Sequence, residues 1–219
     1  SYMSNKRLIV ALDTNNLSKA KEIVSHLNPE QCMVKVGLEL FISQREKILE
    51  YLTSEDFEIF LDLKLHDIPN TVSKALKAIQ EFNISMTTIH LKGGKDMIKA
   101  ASETAGDIRL LGVSILTSLS ENEIELTYGI PFSNLFQRLL GIAQESKIDG
   151  VVCSSHELEY LKEFKGIKVV PGIRNQVLDD DQKRVMSSSE AYALGADYIV
   201  VGRPITDASD IQKKIMEYS

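Results

Sequence analysis

Short apolar runs rich in β-branched residues recur along the chain at 8–12, 33–36, 59–63, 86–91, 110–116, 150–154, 167–170 and 198–201. Between them lie longer stretches, such as 38–52, 71–82 and 190–194, in which apolar positions return at helical spacing between polar starts and Gly or Asn stops. The short runs read as strands and the longer ones as amphipathic helices. Repeated strand–helix units predict a parallel sheet. Eight of them in about 200 to 250 residues fit a closed α/β barrel, the (β/α)8 or TIM barrel, better than an open doubly wound sheet. The five prolines are scattered and no Gly/Ser tract or low-complexity stretch divides the pattern, so residues 1–219 are expected to form a single domain. Ser1 and Tyr2, ahead of Met3, enter no fold argument. The segments 117–132 and 173–187, after the fifth and seventh strands, are long for connections and are expected to act as mobile lids.

Composition narrows the class. With 43% hydrophobic and 26% charged residues, the chain has enough apolar material for one sizeable core and is not disordered by composition. A net charge of −6 with no basic run argues against a nucleic-acid partner. No apolar run approaches the roughly 18 residues of a membrane span, and the polar start lacks the apolar centre of a signal peptide, so a cytoplasmic protein without a membrane partner is expected. Cys32 and Cys153 stand alone in apolar segments and form no CxxC pair, as small buried thiols in a reducing compartment would.

A barrel builds its site at the carboxyl ends of its strands and in the loops beyond them. The polar residues of this chain gather there. Asp13 closes the first strand, Lys35 lies in the second, Asp62 and Lys64 end the third, His90 lies in the fourth, and Thr117 with Ser118 follows the fifth. Pro171-Gly172-Ile173-Arg174 follows the seventh strand and Gly202-Arg203-Pro204 the eighth, where such barrels commonly hold a phosphate.

The densest signal is the run from Asp62 to Thr71, DLKLHDIPNT, directly after Ile59-Phe60-Leu61. Residues two apart on a strand share a face, so Asp62 and Lys64 point the same way, while Asp67 lies past the strand end. A solvated surface ion pair would contribute at most about 1 kcal/mol and would give no reason for such a cluster at the end of an apolar strand. An ammonium framed by carboxylates is, by contrast, a positioned proton donor. Other residues have plain structural readings. His66 reads as a strand-end hydrogen bonder, and His90 as either a packed barrel residue or a support for the lysine. Glu121, Glu123 and Glu125 read as a solvated helix face or lid, and Phe132, Phe136 and Leu139 as core.

The run Asp62 to Thr71, together with Ala11-Leu12-Asp13, Val34-Lys35-Val36-Gly37, Pro171-Gly172-Ile173-Arg174 and Val201-Gly202-Arg203-Pro204, resembles the bacterial orotidine 5'-phosphate decarboxylase family over nearly the whole chain. The bare Asp-x-Lys-x-x-Asp pattern also marks related sugar-phosphate barrels. The continuation His66 to Thr71 is similar to the decarboxylase alone. The resemblance implies conversion of orotidine 5'-monophosphate to uridine 5'-monophosphate and carbon dioxide, with neither metal nor organic cofactor. The sequence agrees, since His26, His66, His90 and His156 show no ligand spacing and no Rossmann or P-loop glycine pattern occurs. It further implies a catalytic array of Lys35, Asp62, Lys64 and Asp67, with Lys64 as the acid. Asp13 and Lys35 would hold the ribose, Thr117 and Ser118 the pyrimidine edge, and Arg203 with the Gly202 amide the phosphate. Gln182 resembles a lid residue bridging phosphate and base, with the acidic run Asp179-Asp180-Asp181 beside it facing water. Pro171 and Arg174 belong to the ligand loop. Asp67 and Thr71 would reach a partner's site, which implies a homodimer with shared sites.

Two other readings stay open from sequence. One is a magnesium-dependent sugar-phosphate decarboxylase or synthase of the same superfamily, which would lose turnover in a chelator. The other is a non-catalytic nucleotide-binding barrel, which has no evident use for a crowded ammonium.

Overall fold

The structure, a computed structural model, describes residues 6–116, 118–176 and 185–219. Eight parallel strands close into a barrel in sequence order, β1 (Leu8–Ala11), β2 (Met33–Val36), β3 (Ile59–Leu65), β4 (Ile84–His90), β5 (Arg109–Val113), β6 (Gly150–Val152), β7 (Ile167–Val170) and β8 (Tyr198–Val201). Closure is made by β1 against β8, with Leu8 beside Ile199 and Val10 beside Val201. The helices are α1 (Leu17–Val24), α2 (Leu38–Gln44), α3 (Glu46–Ser54), α4 (Pro69–Ala78), α5 (Lys95–Thr104), α6 (Glu121–Tyr128), α7 (Phe132–Ser146), α8 (Ser188–Ala193), α9 (Arg203–Thr206) and α10 (Ile211–Tyr218). None of the described helices is long and apolar enough to cross a membrane.

Alternation along the strands sorts the apolar residues into two cores. Ile9, Met33, Phe60, Met86, Leu111 and Val200 fill the barrel, whereas Val10, Val34, Ile59, Leu61, Ile89 and Val201 face the helices. Each fully buried side chain of this size contributes about 1.5–3 kcal/mol, so both layers stabilise the register. Continuing the inner row two residues at a time carries Met33 to Lys35, Phe60 to Asp62 and Lys64, and Met86 to Thr88 and His90. The barrel's own pleat therefore aims these groups into its upper interior.

Three expectations are corrected. The helix expected over 38–52 is two helices. Arg45 takes φ 54°, ψ −137° between them, and its N–H closes α2 on the Phe41 carbonyl at 2.5 Å. The stretch 117–132 is not an open lid throughout, because α6 occupies much of it. That helix starts with a capping box in which Ser120 and Glu123 satisfy one another's backbone N–H groups. The unit after β6 contains a 3₁₀ turn, Leu158–Leu161, rather than an α-helix.

Candidate active site

Strand β3 is irregular where its charges begin. Leu61 lies beside Thr87 of β4, but the next matched pair is Leu65 beside Ile89, so β3 bulges through Asp62, Leu63 and Lys64. Lys64 sits at φ 51°, a left-handed conformation costing about 1–3 kcal/mol in a residue with a side chain. Asp62 is held from three strands. Lys64 Nζ donates to both carboxylate oxygens at 3.0 and 2.9 Å, Lys35 Nζ of β2 approaches Oδ2 at 3.6 Å, and the Thr88 hydroxyl of β4 donates to Oδ1 at 2.8 Å. Burial alone would push the Asp62 carboxyl up. The charges of Lys35 and Lys64 and the bonds from Lys64 and Thr88 outweigh it and hold the group below its ordinary value. Asp62 therefore stays ionised and keeps a neighbouring ammonium in place.

Lys35, Asp62 and Lys64 form the floor of a cleft of about 230 Å³, walled by Asp13, Gly37 and Leu38. A larger cleft of about 860 Å³ lies among the loops after β5, β6 and β7, lined by Ile115, Phe132, His156 and Tyr160 among others, and contains none of these ions. Charge rather than volume marks the site. A backbone in a strained conformation and a carboxylate with only 11% of its side chain exposed both oppose stability, and structures tolerate such costs where chemistry depends on them.

The remaining sequence-predicted residues are distributed around this cleft. Asp13, beyond β1, is exposed, and a Cβ placed on Gly202 beyond β8 would come within 3.2 Å of its Oδ2. The absent side chain at Gly202 thus lets the ends of β1 and β8 approach. Arg203 opens the four-residue α9 and is exposed. Pro171 and Arg174 are half-buried after β7, where the Arg174 N–H donates to the Met186 carbonyl at 3.0 Å. Ser118 is exposed after β5; Thr117 and Gln182 lie outside the described residues. Asp67 does not join the ion cluster of its own chain. It is exposed, and its carboxylate accepts the Ile68 N–H at 2.7 Å, while Thr71 is exposed in the first turn of α4.

His90 is buried above Thr88, and its Nδ1 has no hydrogen-bond partner among the described residues. Desolvation first, then the positive charges of Lys92, His66 and Lys64, push its pKa down to about 4, so the ring is neutral beside the lysine. The exposed His66 ring lies 5.6 Å from it at a 49° tilt. Phe136 and Leu139 are core as expected; Phe132 is only partly buried and lines the larger cleft. Sequence reasoning missed Thr88. The signal was its place two residues before His90, on the inward face of β4.

These features define a barrel enzyme with a lysine ammonium paired to a largely buried carboxylate, itself bonded by a hydroxyl of the next strand, at the carboxyl ends of adjacent strands. The chain belongs to the orotidine 5'-phosphate decarboxylase / HUMPS family, whose model matches residues 6–218. It is 42% identical over 218 residues to the orotidine 5'-phosphate decarboxylase of Shewanella sediminis, covering 95% of this chain and 93% of that one. It is likewise 42% identical over 217 residues to the protein of the same name from Streptococcus pneumoniae, again with 95% and 93% covered. Among solved structures, orotidine 5'-phosphate decarboxylase from Lactobacillus acidophilus superposes with a TM-score of 0.85 at 36% identity, over 98% of this chain and all of that one.

Proposed function

We propose that this chain decarboxylates orotidine 5'-monophosphate to uridine 5'-monophosphate and carbon dioxide in pyrimidine synthesis, using no metal or organic cofactor. The observation that carries this reading is the Lys64 ammonium, clamped by both oxygens of Asp62 at 2.9 and 3.0 Å on the floor of the cleft. As the bond from C6 to the carboxylate breaks, carbon dioxide departs and its electron pair remains on C6. No adjacent carbonyl delocalises that pair, so a prepositioned positive charge must stabilise it. Lys64 supplies the charge and then the proton, passing it from Nζ to C6. Asp62 keeps Lys64 protonated and aimed, and Lys35 keeps Asp62 ionised.

The other roles follow the family pattern. Asp13 and Lys35 hold the ribose, Thr117 and Ser118 the base, and Gly202 and Arg203 the phosphate, with Gln182 bridging phosphate and base and Pro171 and Arg174 in the ligand loop. The working unit is a homodimer. Asp67, Ile68 and Thr71 are exposed after β3, and Leu38 and Ile42 expose apolar side chains on α2, groups suited to burial against a second copy whose Asp67 would complete each site.

The test is purified protein with orotidine 5'-monophosphate in EDTA, followed by ultraviolet absorbance. Full turnover is expected. Absence of turnover would exclude this reaction, and turnover that EDTA abolishes and magnesium restores would exclude the metal-free scheme.

A further inference from the structure

We propose that Thr88 is a positioning residue, whose buried hydroxyl ties Asp62 to the backbone of Lys64 and so sets where the Lys64 ammonium stands. The inference rests on the function proposed above and deepens it. Thr88 is wholly buried on β4. Its hydroxyl proton goes to Asp62 Oδ1 at 2.8 Å, and its oxygen accepts the Lys64 N–H at 2.9 Å. A hydroxyl has one proton to give, so donor and acceptor are committed to the two residues that make the ion pair.

The sheet explains why this bond matters. Between the Leu61–Thr87 and Leu65–Ile89 pairs, β3 runs through three residues while β4 supplies one, Thr88. The Thr88 side chain takes the place of a ladder partner there and holds Lys64 at φ 51°. Without it, Asp62 loses a donor, the Lys64 N–H loses its acceptor, and only the flexible side-chain ion pair is left to relate Lys64 to Asp62 among the described residues. A displacement of about 1 Å in a catalytic group lowers rate by about 100-fold. Binding of the intact substrate is less sensitive, because the ion pair matters most as charge develops.

Thr87 provides an internal control. It is equally buried and one residue away, but faces the opposite side, where its hydroxyl donates to the Leu61 carbonyl at 2.8 Å. A merely structural role for Thr88 predicts that Thr87→Val and Thr88→Val behave alike.

The experiment measures kcat and KM for orotidine 5'-monophosphate, with amide hydrogen exchange at Lys64, in Thr88→Val, Thr88→Ser and Thr87→Val. Thr88→Val should lower kcat by about 10- to 100-fold with KM within about 3-fold. It should also speed exchange at the Lys64 amide. Thr88→Ser, which keeps the oxygen, and Thr87→Val should stay within about 3-fold of the parent in kcat. The proposal is overturned if Thr88→Val keeps parental kcat, if Thr88→Ser is as slow as Thr88→Val, or if Lys64 exchange is unchanged in Thr88→Val. Should it fail while Lys64→Ala is still inactive, the assigned reaction stands and only the role of Thr88 falls. Should the unsubstituted protein leave the substrate untouched, both fall together.

Discussion

Lys64 combines three things that are individually unfavourable or neutral for folding: a left-handed backbone, a charge drawn into the barrel, and a pairing with a carboxylate that is itself mostly buried. Alanine keeps the backbone strain but takes a charge out of the barrel and leaves Asp62 paired with Lys35, so Lys64→Ala should still fold while its turnover falls by several orders of magnitude, since one group supplies both electrostatic stabilisation and the proton. Near-parental turnover in that variant would remove Lys64 from the reaction. Its place was legible in the sequence because residues two apart on a strand share a face, and Asp62 and Lys64 keep that relation across the bulge. Thr88 was not. A β-branched residue in a strand is ordinary, and only the bulge, which no glycine announces, gives its hydroxyl two partners.

Among the elements, β2, β7 and β8 fall on the residues the apolar runs marked, because short runs buried on both faces leave little freedom at either end. The break between α2 and α3 was hidden for the opposite reason. No glycine or proline stands there, and the apolar positions on either side keep a spacing compatible with one helix. Arg45 adopts a backbone conformation that glycine takes without strain, and its side chain is exposed. Arg45→Gly should therefore stabilise the protein by about 1 kcal/mol, read as a higher urea midpoint at unchanged slope. A lower midpoint would show that the arginine side chain contributes more than its backbone costs. The 3₁₀ turn after β6 has a visible cause in the structure. Buried Glu157 accepts the Ser154 N–H at 3.0 Å and the Ser114 hydroxyl at 3.1 Å, which ties the start of that connection to the end of β5.

At the scale of the whole molecule, acid and assembly provide separate tests. His90 remains neutral in the folded protein down to about pH 4, whereas an ordinary histidine titrates near 6.5, so the unfolded chain binds a proton first. Stability should fall as pH drops from about 6.5 to 4, by up to about 3 kcal/mol for this group, and His90→Gln should show a flatter profile. Identical profiles for the two proteins would contradict the burial of a neutral ring. Asp62 acts lower. Its carboxyl is held below the ordinary value of 3.8, so its contribution is complete above that pH and disappears as acidity passes through the depressed value. The proposed dimer predicts that Asp67→Asn and Lys64→Ala, each inactive alone, regain activity when mixed, since one of the two shared sites then combines an intact Lys64 with the partner subunit's Asp67. No recovery from verified mixed dimers would mean that the sites are not shared. Beneath the ions, Phe60, Met33 and Met86 fill the barrel, so among the described residues the cleft is a vessel with a closed floor. In the proposed reaction, carbon dioxide freed beside Lys64 would therefore leave by the mouth rather than through the floor, which makes the order of departure a matter of architecture as well as of affinity.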